Sequence, residues 1–184
     1  TYKMLLFKDL ISKDETLKNI FKDKNPLKMD YLIKGISSNS KNVKKDYIFV
    51  ALKGQNFDGS NFILEAQKNG AILILAEDFD KENIFSLKRG TARKIYSLLL
   101  SSFYEKQPKQ IIGVTGTNGK TSVVEFCRQI WGQAGWKGAS MGTLGTKINA
   151  ISERHNLFES SNNLTTYEPS VLYQQLNYLT IKNI

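Results

Sequence analysis

Among 184 residues the sequence holds a single cysteine, Cys127, and a single histidine, His155. One thiol cannot close an internal disulfide, which excludes a disulfide-stapled secreted scaffold and fits a reducing compartment. Neither residue belongs to a cluster with zinc-ligand spacing. His155 lies in a polar stretch and reads as a surface residue. Cys127 falls in a helical pattern and reads as packing, as do Trp131 and Trp136. Arginine is also scarce: 22 of the 26 basic residues are lysine. Proteins that read nucleic acid favour the bidentate arginine fork. The net charge of +9 therefore describes a solvated lysine surface, or a field that attracts a phosphorylated small molecule. No apolar run approaches the ~20 residues that span a bilayer. The opening "TYKMLLFKDLISKDE" lacks the core and cleavage pattern of a signal peptide. A cytoplasmic monomer is expected, without membrane or nucleic acid. Its first residue is Thr1 rather than methionine, as in a trimmed or partial product.

The length suits one medium domain or two small ones. Residues 1–30 alternate short apolar groups with lysine and acid, as a short helix and a loop would. "DYIFVAL" (46–52) is rich in β-formers and predicts a strand. "KGQNFDG" (53–59) is a polar loop. "SNFILEAQKNG" (60–70) predicts a helix with Ser60 as N-cap and Gly70 at the C-terminal left-handed position. "AILILAE" (71–77) is a continuous apolar run of strand length, suited to a strand covered on both faces. Strand, helix and strand within thirty residues make a βαβ unit. Ala92, Ile95, Leu99 and Phe103 recur at helical spacing, in a helix expected to run to Pro108. "KQPKQ" (106–110) is the best linker, which divides the chain into residues 1–109 and 110–184.

The second part opens with "IIGVTGTNGKTSVVEF" (111–126). "IIGV" predicts a buried parallel strand. Val123, Val124, Phe126, Ile130 and Trp131 continue at near-helical spacing, and Gly135 closes the helix. Strand, glycine loop and helix are the context in which a G-K-T sequence binds phosphate. Gly116 and Gly119 let the backbone turn and approach. A helix starting near Lys120 adds its positive end. Lys120 supplies a charge for β- and γ-phosphates, Thr121 a hydroxyl for Mg²⁺, and Thr117 and Asn118 further polar contacts. The general P-loop pattern wants glycine where Val114 stands, with Gly113 one residue further out. These residues predict ATP or GTP binding.

The variant "GVTGTNGKT" resembles the ATP loop of the Mur ligases, a family that builds the peptide of bacterial cell-wall precursors. Folylpolyglutamate synthetases have a related loop. Three further stretches narrow the resemblance, the first to the MurE and MurF types and the other two to the MurE type. Residues 36–71 are similar to the N-terminal nucleotide-sugar-binding domain, with Asn39-Ser40-Lys41 in place of the family's Asp-Ser-Arg. "MGTLGTK" (141–147) is similar to the segment after the second strand of the ATP-binding domain. "NNLTTYEPS" (162–170) is similar to the segment with a threonine pair, with Tyr167 where many relatives have proline and Leu164 where some have asparagine.

The resemblance implies an α/β fold. A small nucleotide-sugar-binding domain (1–109) would precede the first part of a P-loop ATPase domain with a mainly parallel sheet (110–184). It implies an ATP-dependent amide ligase using ATP and Mg²⁺. Such an enzyme adds a diamino acid to UDP-N-acetylmuramoyl-L-alanyl-D-glutamate through an acyl phosphate. By resemblance, Gly116 to Thr121 hold ATP, with Lys120 and Thr121 catalytic and Thr121 on the metal. Ser40, Gln55, Asn56, Phe57, Thr165 and Thr166 contact the UDP-muramoyl substrate. Plainer readings stand beside these. Ser40 can cap a turn, residues 55–57 can be a simple connection, and Thr165 or Thr166 can cap the helix that follows. The family's Mg²⁺-binding glutamate, carbamylated lysine and amino-acid pocket would lie beyond Ile184, so the chain alone is not expected to catalyse ligation. The alternatives are a MurF-type ligase and a noncatalytic uridine-nucleotide-binding module.

Overall fold

Two sequence runs organise the first half of the chain in the computed structural model. That structure describes residues 3–22, 29–54, 57–79, 81, 84–149 and 167–184. "YIFV" forms β4 (Tyr47–Val50) and "AILILAE" forms β5 (Ala71–Glu77), joined by a 3₁₀ turn (Gly59–Phe62) and the helix α3 (Ile63–Lys68). With β3 (Gly35–Ser37) and β6 (Phe85–Leu87) they make a four-stranded sheet in the order β3-β4-β5-β6, parallel throughout. Parallel strands need cover on both faces. Phe49, Ile74 and Ala76 pack with Ile63 and Ala66 of α3 on one side. Side chains alternate along a strand, so Ile48, Leu73 and Leu75 turn to the other side, all buried. There α4 (Ala92–Phe103) touches β3 and β5, its Ala92, Ile95, Leu99 and Phe103 all buried.

Ahead of the sheet, β1 (Leu5–Leu6) pairs antiparallel with β2 (Leu32–Ile33). Between them lie α1 (Phe7–Ile11) and α2 (Glu15–Phe21), so the described part of residues 1–30 holds two short helices where one was expected. Phe21 joins them to the sheet, its ring 5.2 Å from that of Phe7 and 4.6 Å from that of Phe85.

Local chemistry moves two predicted boundaries and keeps a third. Asp58, not Ser60, caps the turn into α3: its carboxylate accepts from the Ser60 amide at 2.9 Å. A carboxylate two residues upstream reaches the amide that a Ser60 side chain could not. The helix α4 stops at Phe103, five residues before Pro108, where Tyr104 leaves helical geometry. Gly70 is left-handed as expected, with φ +97, and a methyl on it would lie 2.8 Å from the Lys45 Cα.

The chain divides into two units, Thr1–Glu105 and Lys106–Ile184. The second holds α5 (Lys120–Gln133), the antiparallel hairpin of β7 (Ala139–Gly142) and β8 (Gly145–Ile148), and α6 (Pro169–Ile181). Residues 111–114 form no strand, contrary to expectation, and Ile111 and Ile112 are exposed. A buried parallel strand requires paired neighbours, and among the described residues of this unit the two strands pair only with each other. Gly135, with φ +78, follows the end of α5 as expected. At α6 the cap is Glu168, whose carboxylate accepts from the Ser170 amide at 2.8 Å. The capping role open to Thr165 or Thr166 is thereby taken, and Pro169 occupies the first helical turn.

Candidate phosphate-binding site

The loop from Thr115 to Gly119 is exposed and runs directly into α5. Two of its glycines are left-handed, Gly116 at φ +148 and Gly119 at φ +76. A methyl on Gly119 would meet nothing within 4 Å, so the backbone there is uncovered. No side chain caps α5, and the first amides of a helix have no partner inside it. Lys120 folds back over the loop, donating from Nζ to the carbonyls of Gly116 at 2.6 Å and Thr117 at 3.3 Å. Its ammonium therefore already sits above the turn. Open glycine backbone, free helix amides and a lysine at the mouth are the donor set a polyphosphate needs. Thr117 and Asn118 are exposed in the same loop.

A cavity beside the loop is lined by Lys120, Thr121, Glu125, Ser140 and Thr143 among others. Thr121 and Thr143 bring their hydroxyl oxygens to 3.3 Å. Glu125 accepts from Nε and Nη2 of Arg128 and from the Ser140 hydroxyl at 3.3 Å, with the Lys147 ammonium 3.8 Å away. The Arg128 hydrogen bonds lead in holding its carboxyl below the usual range, against the opposing effect of burial. Glu125 thus stays ionised, yet its charge is met by two cations. The loop and Thr121 suit a nucleotide with a divalent cation: a hydroxyl at the start of the helix, next to a lysine and an uncovered glycine. Among the described residues, no group of three or more metal-ligating side chains exists.

Sequence reasoning did not single out Glu125, Arg128, Ser140 or Thr143 as functional. The spacing 121, 125, 128 is one helix face, and two glycines around Thr143-Leu144 mark a tight turn. These were the available signals.

The residues expected at the sugar nucleotide lie elsewhere. Ser40 starts a 3₁₀ turn (Ser40–Asn42) after β3 and is buried. It donates its hydroxyl to Glu65, and its carbonyl accepts from Asn69 Nδ2 at 2.9 Å. Ser40 therefore ties its turn to the α3 region, with Asn39 exposed beside it. Phe57 is exposed, in a tight connection after β4 where the Gly54 amide donates to the Phe57 carbonyl at 2.9 Å. Both connections leave the C-terminal ends of adjacent parallel strands, where open α/β sheets bind ligands. Gln55, Asn56, Thr165, Thr166 and His155 lie outside the described residues. Cys127 is half-buried and free in α5.

Two family models match. The Mur ligase family catalytic domain covers residues 32–106, and the Mur ligase middle domain covers residues 114–181. The chain is 40% identical over 147 residues to the UDP-N-acetylmuramoyl-L-alanyl-D-glutamate–2,6-diaminopimelate ligase of Rickettsia prowazekii, covering 78% of this chain and 30% of that protein. It is 41% identical over 126 residues to the ligase of the same name from Caulobacter vibrioides, covering 67% of this chain and 26% of that protein. The chain thus spans about 30% of the length of the curated relatives it matches. A solved structure of a ligase of that name superposes with a TM-score of 0.67 at 22% identity, over 90% of this chain and 33% of the other, and so shares the fold.

Proposed function

The chain belongs to the Mur ligase family, and from that premise we propose that it forms the N-terminal part of an ATP-dependent amide ligase of the MurE type. The substrates are UDP-N-acetylmuramoyl-L-alanyl-D-glutamate and a diamino acid, joined in peptidoglycan synthesis through an acyl phosphate. The protein works in the cytoplasm as a monomer, apart from nucleic acid and membranes. No helix among the described residues is long and apolar enough to cross a membrane.

The observation that carries this reading is Lys120 Nζ held over the carbonyls of Gly116 and Thr117 at the mouth of an uncapped helix. In the proposed role the loop amides and the α5 N-terminus hold the β- and γ-phosphates. Lys120 swings from the loop carbonyls to a phosphate oxygen and offsets charge that develops during transfer. Thr121 turns its hydroxyl to the metal, while Thr117 and Asn118 steady the loop. A bound Mg²⁺ supplies charge stabilisation at the transferred phosphoryl group. The first unit, near 1–109, holds the sugar nucleotide at the ends of β3 and β4. Ser40 sets the shape of the turn after β3, and Gln55, Asn56 and Phe57 contact the substrate after β4. Thr165 and Thr166 contact the muramoyl peptide.

Calorimetric titration tests both halves. The chain is expected to bind Mg²⁺-ATP, with Lys120→Ala weakening it by about 100-fold, since a charged hydrogen bond and the positive charge facing the phosphates are lost together. It is expected to bind the UDP-muramoyl dipeptide independently of Lys120. A folded chain that binds neither ligand overturns the reading. ATP binding alone removes the substrate assignment and leaves the loop.

A further inference from the structure

The turn of the β7–β8 hairpin lies against the first turn of α5. Gly142 pairs with Gly145, leaving Thr143 and Leu144 at the tip, and Gly145, just after the tip, is left-handed at φ +79, as in hairpin loops that close on a left-handed glycine. Neighbouring side chains hold the hairpin from behind. The Tyr167 hydroxyl donates to the Gly142 carbonyl at 3.3 Å, and the buried Thr146 hydroxyl donates to Gln175 Oε1 at 2.7 Å. Thr143 is therefore placed by backbone pairing rather than by a flexible side chain. Its Oγ1 sits 3.3 Å from Thr121 Oγ1, and geometry lets either oxygen donate.

A threonine hydroxyl has one proton and two lone pairs. When Thr121 turns a lone pair to a cation, its proton must point away and needs an acceptor. Thr143 Oγ1, at 3.3 Å, is within reach of that proton. The alternative acceptor in the same cavity, the Glu125 carboxylate, is already engaged by Arg128 and Ser140. We propose that Thr143 is a positioning residue, which accepts a hydrogen bond from the Thr121 hydroxyl and so aims the Thr121 lone pair at the divalent cation of a bound nucleoside triphosphate. This inference rests on the reading of residues 116–121 as a nucleotide loop. It assigns the hairpin tip a part in metal-dependent affinity, beyond the loop itself.

Calorimetry on the chain separates the possibilities, with ATP in excess Mg²⁺ and with ATP in EDTA, circular dichroism checking each fold. Thr143→Val keeps the shape and removes the acceptor. It is expected to weaken Mg²⁺-ATP binding by about tenfold, the size of one hydrogen bond, and to leave ATP in EDTA within about twofold. Thr143→Ser is expected to restore the wild-type Mg²⁺ dependence. Thr121→Val should show the same loss, and adding Thr143→Val to it should cost little more. Equal weakening in both media, no weakening, or failure of the serine variant to rescue overturns the proposal. A folded wild-type chain that binds no ATP at all overturns the nucleotide reading itself. Binding that ignores Mg²⁺ keeps that reading and overturns this one.

Discussion

Arg128 holds the carboxylate of Glu125 from one turn further along α5, with Nε donating to Oε2 at 3.3 Å and Nη2 donating to Oε1. The carboxylate lines the cavity that also holds Lys120 and Thr121. Without Arg128 only Lys147, 3.8 Å away, offsets that charge, which then repels a polyphosphate more strongly. Arg128→Met is therefore expected to weaken Mg²⁺-ATP binding by about five- to tenfold at low salt, most of it recovered in the double variant with Glu125→Gln. Titration calorimetry at two ionic strengths checks this. Equal affinity for wild type and Arg128→Met would remove the electrostatic role.

Glu77, at the end of β5, supplies a pH dependence to the first unit. Burial is the largest influence on its carboxyl and raises its pKa. Hydrogen bonds from the Ala92, Gly90 and Thr91 amides, with the Lys53 charge, outweigh it and hold the carboxyl below the ordinary 4.5. Its Oε1 accepts from the Ala92 amide at 2.8 Å, so it caps α4 from another strand. The folded state thus binds the proton less readily than the unfolded chain. The stabilisation is full above the ordinary value and is lost as pH falls through the depressed one. Urea unfolding followed from pH 7 to pH 3 should show this decline, with a shallower one in Glu77→Gln. An unchanged slope in that variant would assign the acid sensitivity to other carboxylates.

Two glycines of the first unit separate backbone strain from steric conflict. Gly70 and Gly90 are both left-handed, at φ +97 and φ +80. A methyl on Gly90 meets nothing within 4 Å, whereas one on Gly70 lies 2.8 Å from the Lys45 Cα. Gly90→Ala should cost about 1–2 kcal/mol, the left-handed penalty alone. Gly70→Ala should cost clearly more, because backbone of the segment leading into β4 must shift as well. Equal losses in denaturant melts would mean that this segment gives way freely.

How much the sequence disclosed follows from how local each interaction is. The run 71–77 appears with its expected ends because a continuous apolar stretch after a left-handed Gly70 has few alternatives. The start of α5 at Lys120 was legible because Gly119, itself left-handed, stands just before it. The caps were less so. Asp58 took a role that propensity also allows to Ser60, and only carboxylate reach decides between them, while Glu168 caps α6 where propensity also allows a threonine. Ser40 bonds to Glu65, 25 residues away, and Thr121 meets Thr143 across 22. No short-range pattern reports such pairings. The expectation of a strand at 111–114 came from apolar composition, which says nothing about which neighbours a strand finds.

Burial sets the last prediction. In β5, Leu73, Ile74, Leu75 and Ala76 are all buried, while α5 buries no residue at all and exposes Val123, Phe126 and Ile130. Local opening costs the apolar contacts that must be broken, so regions with few of them exchange amide hydrogens through cheaper openings. Amides of α5 are expected to exchange about 100-fold faster than those of β4 and β5, and limited proteolysis should cut the second unit first. A ligand that binds only the ordered loop stabilises it by mass action. Adding Mg²⁺-ATP should therefore slow exchange at the start of α5 and leave β5 unchanged. Protection of α5 equal to that of β5 without ligand would show that burial does not govern stability here. Protection by Mg²⁺-ATP that appeared in β5 instead would move the nucleotide site out of the second unit.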